Sequence, residues 1–188
     1  MKNAIIIHGT CGEEEYFSDK YPSLSNSHWL PWLQKQLLIK NIFTQTPEMP
    51  EAYAPDYEKW SREFSKFEVN ESSVLIGHSC GGGFLLRWLS ENKIKIDKLI
   101  LVAPWLDPER EKTTDFFDFE LDSKIIDRIN EFYLLVSTDD EADILQSVSF
   151  IKNKLPDIIY HEFKDCGHFC FSDLKSEKFP EILELIIK

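Results

Sequence analysis

Five consecutive residues carry the clearest chemical signal in the sequence, Gly77-His78-Ser79-Cys80-Gly81, a G-x-S-x-G pattern. A short apolar run at 74–76 precedes it, and an apolar helical pattern from about Gly81 to Glu91 follows it. A serine held at a sharp strand-to-helix turn is exposed for nucleophilic attack, and flanking glycines leave room for the backbone to approach closely. The pattern therefore predicts that Ser79 is a nucleophile. The competing interpretation is an ordinary strand-to-helix turn that contains a serine.

A serine nucleophile needs a base, and a base needs a group that orients it. His168 follows the last predicted strand on a glycine-containing loop, whereas the other four histidines lie beside turns, at a helix start or inside a strand. Asp140 stands three residues after Ser137, the small residue that closes the preceding predicted strand. The order Ser, Asp, His is the chain order of α/β-hydrolase triads. We predict Ser79, Asp140 and His168 as the catalytic residues, with Asp139 as the alternative acid.

Attack on a carbonyl also needs donors for the developing oxyanion and walls that hold the substrate. The amide that follows the nucleophile, that of Cys80, is one predicted donor. Thr10, which directly follows His8-Gly9 in the loop after the first strand, is the other. The predicted substrate-binding side chains are apolar: Trp29, Trp105 and Phe169.

Two hydrophobic periods alternate along the chain, and they define the elements that must position these residues. Short β-branched runs predict strands near residues 5–7, 42–44, 74–76, 99–102, 132–136 and 158–163. Amphipathic stretches predict helices near 28–40, 56–67, 81–91, 142–154 and 180–187. Such alternation is typical of a mostly parallel sheet covered on both faces. We predict one three-layer α/β domain over residues 1–188, with about six strands.

The segment from Pro104 to Asp122 is long for a strand-to-helix connection, and it contains Phe116, Phe117 and Phe119 among acidic residues. Long loops in compact domains are often lids or binding loops. A short helix packed by its aromatic side chains explains the same composition equally well.

Composition limits the classes of partner. The net charge is −12 over 188 residues, and such a surface repels phosphate backbones and anionic membranes. No apolar run approaches the roughly 20 residues of a membrane span or the pattern of an export signal. We therefore expect a cytoplasmic protein with neither nucleic-acid nor membrane partners. The four cysteines are expected to be free thiols, and the spacing of Cys166, His168 and Cys170 fits no common zinc pattern.

The chain resembles the small serine hydrolase family that includes retinoblastoma-binding protein 9 and bacterial relatives. The resemblance covers nearly the whole chain and depends on five segments: His8-Gly9, His28–Leu33, Ile76–Ser79, Ser137–Asp140 and Asp165–Phe169. It implies a compact α/β-hydrolase with a catalytic triad, no cofactor and esterase-like activity. The chain departs from the family pattern in an enlarged first loop, residues 11–26, and after the acid, at 141–143.

These observations predict a serine hydrolase that cleaves a small ester through an acyl-Ser79 intermediate. Amide, thioester, acyl-transfer and haloperoxidase-like reactions on the same residues stay open. The expected partner is a small, neutral, ester-like molecule, without metal or cofactor. The alternative is a catalytically weak binding module that keeps the fold, since a fold alone does not establish activity.

Overall fold

A single parallel sheet forms the centre of the molecule. The structure is a computed structural model that describes residues 2–110, 112–113 and 115–188. The strands are β1 (Asn3–Ile7), β2 (Phe43–Gln45), β3 (Ser73–His78), β4 (Ile96–Val102), β5 (Ile129–Ser137) and β6 (Ile159–Phe163). Their order is β2-β1-β3-β4-β5-β6, and each neighbouring pair is parallel. The predicted α/β class with six strands is confirmed.

Helices connect the strands, as the alternation of periods predicts. They are α1 (Glu13–Tyr16), α2 (Leu30–Ile39), α3 (Tyr57–Phe64), α4 (Cys80–Asn92), α5 (Ala142–Lys154), α6 (Phe171–Leu174) and α7 (Pro180–Ile187). Local chemistry explains several ends: Asp56 caps α3 by accepting from the Lys59 amide at 2.8 Å, and Pro180 begins α7. Among the described residues, no helix is both long enough and apolar enough to cross a bilayer.

Both faces of the sheet are covered. Every residue of β1 and of β3 is buried, which a strand achieves only when side chains on its two faces are shielded. One group of helices comprises α2 and α7, where Trp29 packs edge-on against Phe179 with ring centroids 5.6 Å apart. The other comprises α3 and α4, where Trp60 meets Phe84 at 5.6 Å. Three layers result, as predicted.

The segment from Pro104 to Asp122 forms no helix in its described residues, so of its two interpretations the short helix is wrong. The aromatic side chains of the segment nevertheless pack against the core, as that interpretation expected. Phe116 is fully buried and meets Trp60 edge-on at 5.1 Å. Arg87 Nη1 donates to the carbonyls of Asp115 and Phe116 at 2.5 and 2.9 Å, so these two carbonyls are paired without a helix. Phe116 and the Arg87 hydrogen bonds anchor this part of the segment to α3 and α4.

Candidate active site

Ser79 occupies a strained turn between β3 and α4. Its backbone angles are φ 55° and ψ −123°, a combination that costs a non-glycine residue roughly 1–3 kcal/mol. Backbone hydrogen bonds keep Ser79 in this strained conformation. The Ser79 amide donates to Val102 O at 3.0 Å, and the Ser79 carbonyl accepts from Gly82 N at 2.9 Å and from Trp105 N at 3.0 Å. The serine is thus fixed at the carboxyl edge of the sheet, where ligands of such sheets bind.

The glycines of the pattern are required by backbone contacts. A Cβ at Gly77 would lie 2.6 Å from Gly82 N, and one at Gly81 would lie 2.4 Å from the carbonyl oxygens of Ile7 and His8. Gly81 therefore lets α4 begin directly against the end of β1. At Gly9 a Cβ would lie 2.9 Å from Ser79 Cβ, so the first loop reaches the serine itself.

His168 and Asp140 form a hydrogen-bonded pair beside this turn. The imidazole Nδ1 lies 3.0 Å from Asp140 Oδ1 and 3.3 Å from Oδ2. The Asp140 side chain is fully buried, whereas the His168 side chain is 24% exposed, so the ring can reach solvent and substrate. Since the carboxylate faces Nδ1, that nitrogen carries the proton and Nε2 is left as the acceptor.

Asp139 points elsewhere. Its carboxylate accepts from the Ser137 hydroxyl and, at 3.3 Å, from the Gly167 amide. The Ser137 hydrogen bond holds the pKa of Asp139 below its ordinary value. Of the two neighbouring aspartates, Asp140 is the one that contacts the imidazole.

The side chains of His78 and Asp173 hold the loop that carries His168 in place. His78 Nε2–H donates to the His168 carbonyl at 2.8 Å, and the Asp173 carboxylate accepts from the His168 and Cys170 amides at 3.1 and 3.2 Å. At Gly167, φ is 46° and a Cβ would lie 2.8 Å from Asp173 Cγ. Asp173 is not among the site residues predicted from the sequence. Its only local signal is its position three residues after Cys170, the cap of α6.

Two other histidines near the serine are buried and neutral. Burial lowers the pKa of His78 well below its ordinary value, and the nearby His168 lowers it further. Burial also lowers the pKa of His8, whose Nδ1–H donates to Gly9 O at 2.7 Å while Nε2 accepts from the Met49 amide at 2.8 Å. His8 uses both ring nitrogens and His78 uses Nε2 in structural hydrogen bonds, and both rings are buried, whereas His168 is partly exposed.

Ser79 and His168 line a common cleft of about 150 Å³. Its other walls are Thr10, Trp105, Lys112, Glu141, Asp143 and Ile144. Trp105 lies in this wall, with its indole N–H donating to Asp143 at 3.0 Å. Ser79 and His168 also line a smaller hollow of about 50 Å³, together with Thr10, His28 and Cys170.

The structure does not bring Trp29 and Phe169 to the cleft, and their predicted contact with substrate is corrected accordingly. Both are fully buried. Phe169 stacks on Phe179 at 5.4 Å, and Trp29 packs edge-on against Phe179 and His78. Large aromatic rings beside a covered sheet gain more from core packing than from a wet cleft.

The predicted oxyanion donors lie next to the serine. Thr10 lines both hollows. Cys80 is the first residue of α4, where amides have no helical partner and the helix dipole favours negative charge. In the described part of the chain, neither amide donates to another protein group. The Cys80 thiol is fully buried, and burial raises its pKa well above the ordinary value, so the thiol is not a competing nucleophile.

Comparison with known proteins identifies the fold and the family. The ydeN gene product from B. subtilis superposes with a TM-score of 0.83 at 24% identity, over 100% of this chain and 97% of that one. Est1E from Butyrivibrio proteoclasticus gives 0.64 at 18%, over 100% and 89%. XC6422 from Xanthomonas campestris, described as an α/β serine hydrolase without a lid, gives 0.62 at 16%, over 98% and 78%.

At these identities the structural matches establish the fold alone. No curated protein sequence matches the chain. The family model described as serine hydrolase matches residues 20–169, which include the strained serine and the histidine–aspartate pair. The chain therefore belongs to the serine hydrolase family.

Proposed function

We propose that this serine hydrolase cleaves small esters through a covalent acyl-Ser79 intermediate, with Asp140 and His168 completing a catalytic triad. The observation that carries the proposal is the shared cleft: a serine in a strained turn and an imidazole held by a buried carboxylate line the same hollow. Nucleophile, base and orienting acid are the set that acyl transfer needs.

The proposed reaction has two balanced halves. Ser79 Oγ attacks the ester carbonyl carbon while His168 Nε2 takes the hydroxyl proton, and the tetrahedral intermediate carries its negative charge on the former carbonyl oxygen. Collapse expels the alkoxide, which leaves as the alcohol after taking that proton from His168. Water then attacks the acyl-serine with His168 again as base, which releases the carboxylic acid and restores Ser79.

The surrounding groups have supporting parts in the proposal. The Asp140 carboxylate stabilises the imidazolium that forms in each half. The amides of Thr10 and Cys80 are proposed to donate to the oxyanion, because both adjoin Ser79 and neither has an acceptor among the described residues. All these groups belong to the chain, so the proposed steps use neither metal nor cofactor.

The cleft favours a neutral, small group next to the ester. Its volume of about 150 Å³ accommodates few atoms beyond the reacting carbonyl. The charged side chains that line it include two carboxylates, Glu141 and Asp143, against the ammonium of Lys112. That balance disfavours a carboxylate on the substrate beside the reacting bond.

Labelling with a fluorophosphonate probe tests the proposal directly. Wild type and Ser72→Ala, which removes an exposed serine far from the cleft, should both be labelled. Ser79→Ala should not be labelled, and its turnover of an activated ester should fall by roughly 10⁴ to 10⁶. Activity of folded Ser79→Ala within tenfold of wild type would refute the nucleophile. An unlabelled, inactive wild type would favour a binding module instead.

A further inference from the structure

A large hollow lies outside the cleft. It has a volume of about 590 Å³ and lies between α5 and the connection that follows β4. Apolar side chains make up much of its wall: Leu106, Phe117, Phe119, Leu121 and Phe150. We call this hollow the distal cavity. Its volume falls in the range of small-molecule sites, roughly 300–1,000 Å³.

The distal cavity adjoins the cleft through a third hollow. That intermediate hollow, of about 330 Å³, shares Lys112, Glu141 and Asp143 with the cleft. It shares Asp107 and Pro108 with the distal cavity. The boundary with the cleft is polar, since Lys112 Nζ lies 3.5 Å from Asp143 Oδ2. A molecule bound at Ser79 can therefore extend over this ion pair toward the distal cavity.

Hydrogen bonds within the protein fix the walls of the distal cavity, so the site is preformed. Asp107 Oδ2 accepts from the Thr113 amide at 2.6 Å and from its hydroxyl at 2.8 Å, which links Thr113 to Asp107. Leu106 N donates to Ser147 Oγ at 3.1 Å, which ties the connection to α5. Together with the buried Phe116, these contacts fix both walls, and a preformed site loses less free energy on binding.

Part of the aromatic surface of the distal cavity stays exposed in the described structure. Phe150 is 45% exposed on α5, and Phe117 and Phe119 are only partly buried against the core. Apolar surface of this kind costs free energy while it stays in water, and clusters of it mark binding sites. A few polar side chains at the rim, among them Gln146 and Asn153, are available to orient a ligand.

We propose that the distal cavity binds an apolar arm of the ester substrate, an aromatic ring or an aliphatic chain. Helix α5 sets the reach, because Ile144 lines the cleft and Phe150 lines the distal cavity. The distal cavity is lined by α5 residues from Gln146 to Asn153, so at about 1.5 Å per residue it extends from about 3 to about 14 Å beyond Ile144 along the helix. The substrate class is thus a neutral ester with an apolar terminus, in its acyl or its alcohol part, that extends from the cleft into the distal cavity. This inference rests on the proposed function at Ser79.

A filling substitution on α5 tests the inference. Gln146 is an exposed residue that lines the distal cavity, so Gln146→Trp should occupy it without disturbing the core. Leu145→Trp is the matched control, since its side chain is on the same helix, 36% exposed, and not part of the cavity wall. We would measure kcat/KM for p-nitrophenyl acetate and decanoate, and for acetates of short and long alcohols.

Gln146→Trp should lower kcat/KM for the long member of one series by about tenfold or more, because lost apolar contacts are worth that much in a hydrophobic pocket. It should leave the acetate with the short alcohol and fluorophosphonate labelling unchanged, and Leu145→Trp should leave all of them unchanged. Phe150→Ala, which removes the wall instead of filling the cavity, should reduce the same preference if Gln146→Trp does not fold.

The outcomes separate the two proposals. Equal effects of Gln146→Trp and Phe150→Ala on long and short esters in both series would refute the distal subsite while Ser79 labelling still supports the hydrolase. Loss of labelling in wild type would refute the hydrolase proposal itself.

Discussion

The two neighbouring aspartates allow a sharp test of the proposed triad. Asp140→Asn keeps the size of the side chain but removes the charge that faces His168. In wild type, Asp140 Oδ1 and Oδ2 lie 3.0 and 3.3 Å from the imidazole Nδ1. In either amide orientation an NH₂ group therefore faces Nδ1 at one of these distances. An N–H facing Nδ1 favours the tautomer with its proton on Nε2, which cannot accept the serine proton.

Water cannot compensate for the loss of the Asp140 carboxylate. The Asp140 side chain is fully buried, so solvent neither screens the lost charge nor replaces the lost acceptor. Oδ1 accepts from the Glu141 amide at 2.7 Å as well, which favours the asparagine oxygen at that position and leaves the NH₂ group at the Oδ2 position, 3.3 Å from the imidazole Nδ1. In a serine protease the same change costs about 10⁴ in kcat, equivalent to about 5.5 kcal/mol of transition-state stabilisation. We expect a loss of that order here.

Asp139→Asn is the matched control. The Asp139 carboxylate accepts from Ser137 and Gly167, and an amide oxygen can accept from both. Its kcat should stay within about threefold of wild type, the scale of an ordinary surface substitution. Both variants would be assayed on one activated ester at neutral pH after circular dichroism has shown that they are folded. The triad acid is misassigned if Asp139→Asn proves to be the more damaged enzyme, and Asp140 has no part in catalysis if neither variant loses activity.

Two further predictions concern stability. Gly81→Ala should lower the free energy of unfolding by more than about 3 kcal/mol in urea titrations, because its Cβ would lie 2.4 Å from two carbonyl oxygens. Gly12→Ala is the control and should change the free energy of unfolding little, because no atom lies within 4 Å of its Cβ. Equal losses for the two variants would contradict this steric explanation. Burial lowers the pKa of His78 in the folded state, so the imidazole binds a proton more readily in the unfolded chain. The free energy of unfolding should therefore be highest above the ordinary pKa of 6.5 and should decrease as the pH falls below that value. His78→Gln should reduce that loss in Tm measured between about pH 7 and pH 5, and an unchanged pH profile would show that His78 is not its source.

Local sequence patterns determined the elements and the positions of the reactive residues. The helices over 142–154 and 180–187 coincide with α5 and α7, because helical periodicity and an N-terminal proline are properties of the segment itself. Parallel strands bring their carboxyl ends to one edge, so the loops of Ser79, Asp140 and His168 had to meet there. Membership of the serine hydrolase family was likewise predictable from short motifs.

Only the tertiary structure decided where individual side chains point. Trp29 and Phe169 were predicted to line the pocket as apolar side chains, yet both pack into the core against Phe179, a residue far from Trp29 in the sequence. The contact of His78 with the His168 carbonyl spans 90 residues, and no local pattern encodes it. The distal cavity lies between α5 and the connection after β4, two segments that are distant in the sequence. Burial and cavities depend on which distant segments meet, and periodicity within one segment carries no information about its partner.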